Sequence, residues 1–323
     1  MGYPHTSLIL TLCTSILMDG LMCASLLGVI EASIARLLRY VNTEVGGDVA
    51  GALRRVREVS TGLGAEVMEA IVRNIEVGGR EGRPVCQDTG LVIVWLAVGD
   101  EFPAPLTDAV NAVFKGVARA TEEVPLRLNA IDPLTGEVME GNVGRGSPQV
   151  FIRPARGRLL EVKVLIRGGG SEAPCIAKAL APSKGFKGVA ELVVDVVANQ
   201  GFNACPPLFI GVGVGGTLAT AVELAYESLL RPVGARSSDP VLAGLEERLL
   251  NLVNKLEIGP GGMGGGPTAV DVRVEAGVHH PASMGVAVVT NCWALRRGML
   301  RIYPGGNTYL FKYGVGGGEW VRW

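Results

Sequence analysis

No part of this chain concentrates charge of one sign. Its 30 Lys and Arg are interspersed with 31 Asp and Glu over 323 residues, for a net charge of −1. That excludes a basic stripe for nucleic acid and an acidic interaction tail. Cysteine is sparse as well: six residues at irregular spacing make no disulfide framework in a chain this long. Aromatics supply only 5% of residues, whereas glycine occurs 46 times and apolar types reach 48%. That balance fits a compact α/β protein with many close backbone approaches. Internal repeats and low-complexity linkers are absent, and the length accommodates one or two domains.

The one long apolar run, Leu8 to Leu27, lacks the marks of an export signal. No Lys or Arg precedes it, Asp19 interrupts it, and no small-residue cleavage site is clear. Met18 and Met22 offer later starts. Residues 1–28 therefore read as an apolar extension, an overextended start or an appendage, rather than a membrane anchor. The expectation is a cytoplasmic protein. Cys13, Cys23 and Cys175 lie in apolar or Ala-rich stretches and read as ordinary buried residues.

Residues 29–323 read as one α/β unit with a helical preface. Apolar residues recur at helical spacing from Val29 to Val77, with breaks at Asn42 to Gly47 and at Thr61-Gly62. Strands are predicted over 91–98, 150–154, 160–166, 208–214, 270–274 and 284–290, and helices over 107–121, 188–199, 218–230 and 242–256. The strands at 150–154 and 160–166 are expected to form a hairpin around Ala155 to Arg158, with Gly168-Gly169-Gly170 ending the second. Gly211-x-Gly213-x-x-Gly216 follows a strand and opens a helix, as a dinucleotide fingerprint does. The acidic strand end expected about 20 residues on is missing, so NAD is set aside. The loop reads instead as a source of backbone N–H groups for an anionic ligand.

Three further cysteines stand in glycine-, proline- or polar-rich contexts: Cys86 before Gln87-Asp88-Thr89-Gly90, Cys205 before Pro206-Pro207, and Cys292 before Trp293-Ala294. They are 119 (86 to 205) and 87 (205 to 292) residues apart, so only a folded domain could gather them. Three thiolates on one centre would hold a [4Fe-4S] cluster by three irons and leave the fourth open for chemistry. Cys86 on its own reads equally well as part of a tight loop in which Asp88 forms an Asx-turn.

The motifs around Cys86, Gly168-Gly169-Gly170-Ser171-Glu172, Cys205 with Gly211 to Thr217, Ile258-Gly259-Pro260 with Gly261 to Gly265, and His280-Pro281-Ala282-Ser283 through Cys292 run in order over roughly residues 30–310. With this set the chain resembles the alpha subunit of the iron–sulfur hydro-lyases, which include class I fumarate hydratases and L-tartrate dehydratases. The resemblance implies a helical N-terminal region followed by a mixed α/β cluster-binding domain, with Cys86, Cys205 and Cys292 as ligands. It also implies that Arg127, Gln87 and Gly169 contact a dicarboxylic acid, and that Asp88 and His280 support the reaction. A guanidinium fork suits a carboxylate. Two departures stand out: Arg167 where the family commonly has lysine, and Ala173 where asparagine is frequent.

By the same resemblance, the general base belongs to a C-terminal domain for which the 31 residues after Cys292 leave no room. A separate beta subunit is therefore expected, in a heterotetramer. Reversible hydration of fumarate to L-malate is the favoured reaction. L-tartrate or a mesaconate-type substrate is the alternative, and a non-catalytic iron–sulfur or redox-sensing protein is the second.

Overall fold

The structure, a computed structural model, describes residues 25–323. Cys13, Cys23 and most of the Leu8 to Leu27 run lie outside the described residues. The helical preface resolves into α1 (residues 25–43), α2 (Gly47–Val59) and α3 (Gly62–Glu81). Two sheets follow. The first contains β1 (Leu91–Gly99), β2 (Gln149–Ala155), β3 (Leu160–Arg167), β8 (Arg297–Ile302), β9 (Thr308–Gly314) and β10 (Gly317–Arg322), ordered β10-β9-β8-β3-β1-β2. The second contains β4 (Ile176–Leu180), β5 (Leu208–Val214), β6 (Ala269–Ala276) and β7 (Met284–Asn291), ordered β4-β7-β5-β6. Helices α4 (Leu106–Glu123), α6 (Gly185–Gln200), α7 (Leu218–Ser228) and α8 (Pro240–Asn254) connect or cover the strands. No helix among the described residues is long and apolar enough to cross a membrane.

Strand alternation assigns each face of the sheets to a core. Val92, Val94 and Leu96 of β1 pack with Ile30, Ile34 and Leu38 of α1 and with Val113 and Val117 of α4. Ile93 and Trp95 point the other way, into a core between the sheets that also holds Leu53, Met68, Phe209, Ala225 and Val289. The far face of the second sheet, with Ile210, Val212, Val286 and Val288, packs on Val193 and Val197 of α6 and Leu245 and Leu249 of α8. Each such fully buried aliphatic side chain contributes about 1.5–3 kcal/mol relative to exposure. The helix–sheet–helix–sheet–helix stack is therefore a consequence of two-sided apolar strands.

One local expectation is corrected. β2 and β3 do not form a hairpin, because β1 lies between them, parallel to β2 and antiparallel to β3. The glycine triplet does end β3, at Arg167, and goes on to start a short helix, α5 (Gly169–Glu172). The segment after Cys292, which carried no strand expectation, supplies β8, β9 and β10.

The glycines of the would-be fingerprint have a packing role. Phe209, Gly211 and Gly213 share one face of β5, and α7 crosses that face. A Cβ on Gly211 would stand 2.2 Å from the Ala225 carbonyl oxygen, and one on Gly213 would stand 1.9 Å from that of Ala221. Neither distance admits a side chain. The loop of Gly215 and Gly216 closes the end of β5 remote from Cys205, with their N–H groups bonded to the carbonyls of Gly285 and Val278. The expectation that it serves an anion beside the cysteines is thus overturned.

Candidate active site

Four strand ends from the two sheets meet at one place. Leu91, opening β1, pairs with Arg167, closing β3. Phe209, near the start of β5, pairs with Asn291, at the end of β7. Cys86 lies just before β1, Cys205 just before β5 and Cys292 just after β7. Strand topology therefore carries three sequence-distant loops to a common edge. The Trp293 N–H donates to the Cys205 carbonyl (3.3 Å), joining two of the loops directly. Cys205 itself has φ 51° in the left-handed region, unusual for a residue with a Cβ and characteristic of functional loops.

Arg167 welds the sheets here. Its buried guanidinium donates from Nη1 to the Thr290 carbonyl (2.7 Å) and to Asn291 Oδ1 (3.0 Å), and from Nη2 to the Ser171 carbonyl (3.0 Å). Nε donates to Glu172 Oε2 at 2.9 Å, and Cys175 Sγ lies 3.2 Å from Nη2. Ser171 Oγ in turn accepts the Cys292 N–H at 3.1 Å. Cys175 is half-buried in this lattice, in keeping with a structural role.

The Cys86 motif is internally wired. Asp88 Oδ1 accepts the Gly90 N–H (3.0 Å) and Asn129 Nδ2 (3.3 Å), while Oδ2 accepts the Gly169 N–H (2.6 Å). Thr89 Oγ1 accepts the Arg127 N–H at 2.9 Å. Asn142, buried with φ 59°, holds the same segment from behind. Its Oδ1 accepts the N–H groups of Asn129 (2.7 Å) and Ala130 (3.1 Å), and its Nδ2 donates to the Arg127 carbonyl (2.8 Å). The Arg127 backbone is thus fixed from two sides while its side chain stays exposed.

These residues enclose a cavity of about 450 Å³ lined by Asp88, Arg127, Asn129, Gln149, Gly169 and, on the opposite wall, Arg167 with Glu172 and Tyr226. The Tyr226 hydroxyl donates to Glu172 Oε1 at 2.6 Å. Burial, reinforced by that bond and by the Glu172 charge, pushes the Tyr226 phenol well above its ordinary value.

Cys86, Cys205 and Cys292 are all free thiols. Burial raises the Cys86 thiol, the Arg296 guanidinium opposes that rise, and the Cys292 and Asp88 charges add to it. Cys205 is raised by burial and then by the charges of Cys292 and Cys86. Cys86 and Cys205 therefore both sense the Cys292 sulfur. Among the described residues no three His, Cys, Asp or Glu side chains close around a single metal ion. A four-iron cluster is wider than one ion and takes thiolates set further apart than a single metal does. The donor set fits it chemically: soft thiols on three loops, with a buried Arg296 Nε beside them that has no partner among the described residues.

Of the residues singled out from sequence, the structure brings Asp88, Arg127 and Gly169 into one cavity wall. Gln87 is exposed on the same loop, outside that wall. His280 is placed elsewhere. It is exposed in the loop preceding β7, its Nδ1 accepting the Ala282 N–H at 3.1 Å, whereas Cys292 follows the other end of β7. The strand between them spans roughly 23 Å. Asn129, Asn142, Gln149, Glu172, Tyr226 and Arg296 carried no site expectation. Asn142 alone had a local cue, an asparagine between glycine and a β-branched residue, suited to the left-handed region.

Comparison with known proteins identifies the family. The family described as fumarate hydratase (fumerase) matches residues 31–301. A Methanocaldococcus jannaschii protein provisionally named L(+)-tartrate dehydratase subunit alpha is 40% identical over 235 residues, covering 72% of this chain and 82% of its own. The L(+)-tartrate dehydratase subunit alpha of Escherichia coli strain UTI89 is 41% identical over 224 residues, covering 68% of this chain and 73% of its own. The family match and these relatives identify a hydro-lyase alpha subunit. The chain belongs to the fumarate hydratase (fumerase) family.

Proposed function

We propose that the chain is the alpha subunit of a [4Fe-4S]-dependent dehydratase acting on L(+)-tartrate. The observation that carries this reading is the single cavity joining Asp88, Arg127 and Gly169 beside three free thiols. Cys86, Cys205 and Cys292 would hold the cluster. When bound, it supplies a Lewis-acidic iron that assists departure of the substrate hydroxyl. Arg127 binds one carboxylate through its fork. Asp88, locked by the N–H groups of Gly90 and Gly169, orients the departing hydroxyl and the Gly169 edge of the cavity. Gln87, exposed on the same loop, is assigned a further substrate contact.

Sequence favoured fumarate and L-malate, but the relatives' names support the tartrate alternative. The cavity supports it too. Tartrate has one more hydroxyl than malate, and Gln149, Asn129 and the Glu172–Tyr226 pair offer polar groups beyond those a dicarboxylate with one hydroxyl needs.

Proton removal from the neighbouring carbon is assigned to a partner beta subunit, in a heterotetramer. His280 lies at the end of β7 remote from Cys292, so a role for it in such a cavity requires the assembled enzyme. Thiolate ligation fits a reducing compartment, the cytoplasm.

The test is anaerobic reconstitution of the chain with and without its partner, followed by assay of L-tartrate to oxaloacetate and of L-malate to fumarate. Tartrate turnover that requires both chains and is lost in Cys205→Ser is the expected result. Faster turnover of malate returns the assignment to fumarate. A pair that binds no iron and sulfide refutes the cluster.

A further inference from the structure

We propose that Arg296 is the resident counter-cation of the cluster on its Cys86 side and sets how readily that cluster is reduced. The inference rests on the cysteine reading above. Arg296 follows the Cys292 loop immediately ahead of β8 and is 2% exposed. Its carbonyl accepts the Ile166 N–H (3.0 Å), which ties its backbone to β3. Nη1 donates to Asn42 Oδ1 at 3.1 Å, on α1. Nη2 lies 3.5 Å from the point where a Cβ of Gly168 would stand, and Asp88 Oδ2 lies 2.7 Å from that same point. The guanidinium therefore sits beneath the Cys86–Asp88 and Gly168 loops.

Its partners do not account for it. Arg167, Arg273 and Arg297, buried like Arg296, each reach a carboxylate, at Glu172, Asp271 and Asp48 respectively. Arg296 forms no ion pair among the described residues, and its Nε is buried without a hydrogen bond among them. A buried cation without an ion pair, and with Nε unbonded, is costly unless an anion stands beside it. A four-iron core held by three thiolates is such an anion.

A fixed positive charge stabilises the reduced, more negative form of a neighbouring redox centre. Removing it lowers the reduction potential, whereas a purely structural arginine would not move the potential. The measurement is a one-electron redox titration, followed by electron paramagnetic resonance, on the reconstituted chain with its partner. Wild type, Arg296→Met and Arg296→Lys are compared, with iron content and Tm measured alongside. The Met variant is expected to shift the reduction equilibrium roughly tenfold, about 59 mV downward for one electron. The Lys variant, which keeps the charge, is expected to stay near wild type. If the Met side chain prevents folding, Arg296→Gln takes its place. An unchanged potential in a loaded neutral variant overturns the inference while leaving the cluster reading intact. Equal losses of iron and Tm in the Lys and neutral variants also overturn it, in favour of a structural role. Wild-type protein that takes up no cluster defeats both.

Discussion

Arg127 and the cysteines show how differently two site residues depend on their surroundings. The Arg127 side chain is exposed while its backbone is held by Thr89 and Asn142. Arg127→Met is therefore expected to leave Tm unchanged. It should raise KM about 10- to 100-fold, the worth of a lost charge-assisted hydrogen-bond pair. A drop in kcat at constant KM would contradict that role. The thiols behave oppositely, because burial raises Cys86 and Cys205 in the folded chain. A raised thiol contributes stability that is complete below its ordinary value of 9.0 and is lost as pH rises through the folded value. Cluster-free wild type should thus lose Tm between pH 9.0 and 10.0, below the ordinary tyrosine value, more steeply than Cys86→Ser/Cys205→Ser. The double variant keeps the contribution of Cys175, which burial also raises. Parallel Tm curves would contradict the linkage.

At the scale of elements, β5 and α7 define the tightest contact described. Gly213→Ala must displace a helix carbonyl that stands 1.9 Å from the new Cβ. Overpacking of that kind costs about 1–3 kcal/mol, and denaturant unfolding should show it as a lowered midpoint at constant slope. An unchanged midpoint would mean that α7 does not seat on β5 as described. This contact also marks where sequence was legible and where it was not. Strand β5 and helix α7 could be read from apolar runs, and the glycine spacing of two betrayed one strand face. What lay against that face was not readable, so a packing device resembled a ligand loop. Strand pairing was similarly hidden: short connection length favoured a β2–β3 hairpin, yet β1 inserts between them from more than 50 residues upstream. The cysteine loops were legible because thiols rarely occur in polar turns without cause. The position of His280 was not, since spacing along a chain says nothing about which end of an extended strand faces the site.

For the whole molecule, three thiols brought together from two sheets impose an order of events in time. Neither sheet holds the set: the Cys86 loop leads into the first, while the Cys205 and Cys292 loops flank strands of the second. Contacts across 119 and 87 residues form late, because loop closure over such separations must precede any gain from them. A chain still emerging from the ribosome has no complete set until residue 292 has been made and β7 has paired with β5. On the proposed ligand set, iron and sulfide would therefore meet a finished fold rather than a nascent chain.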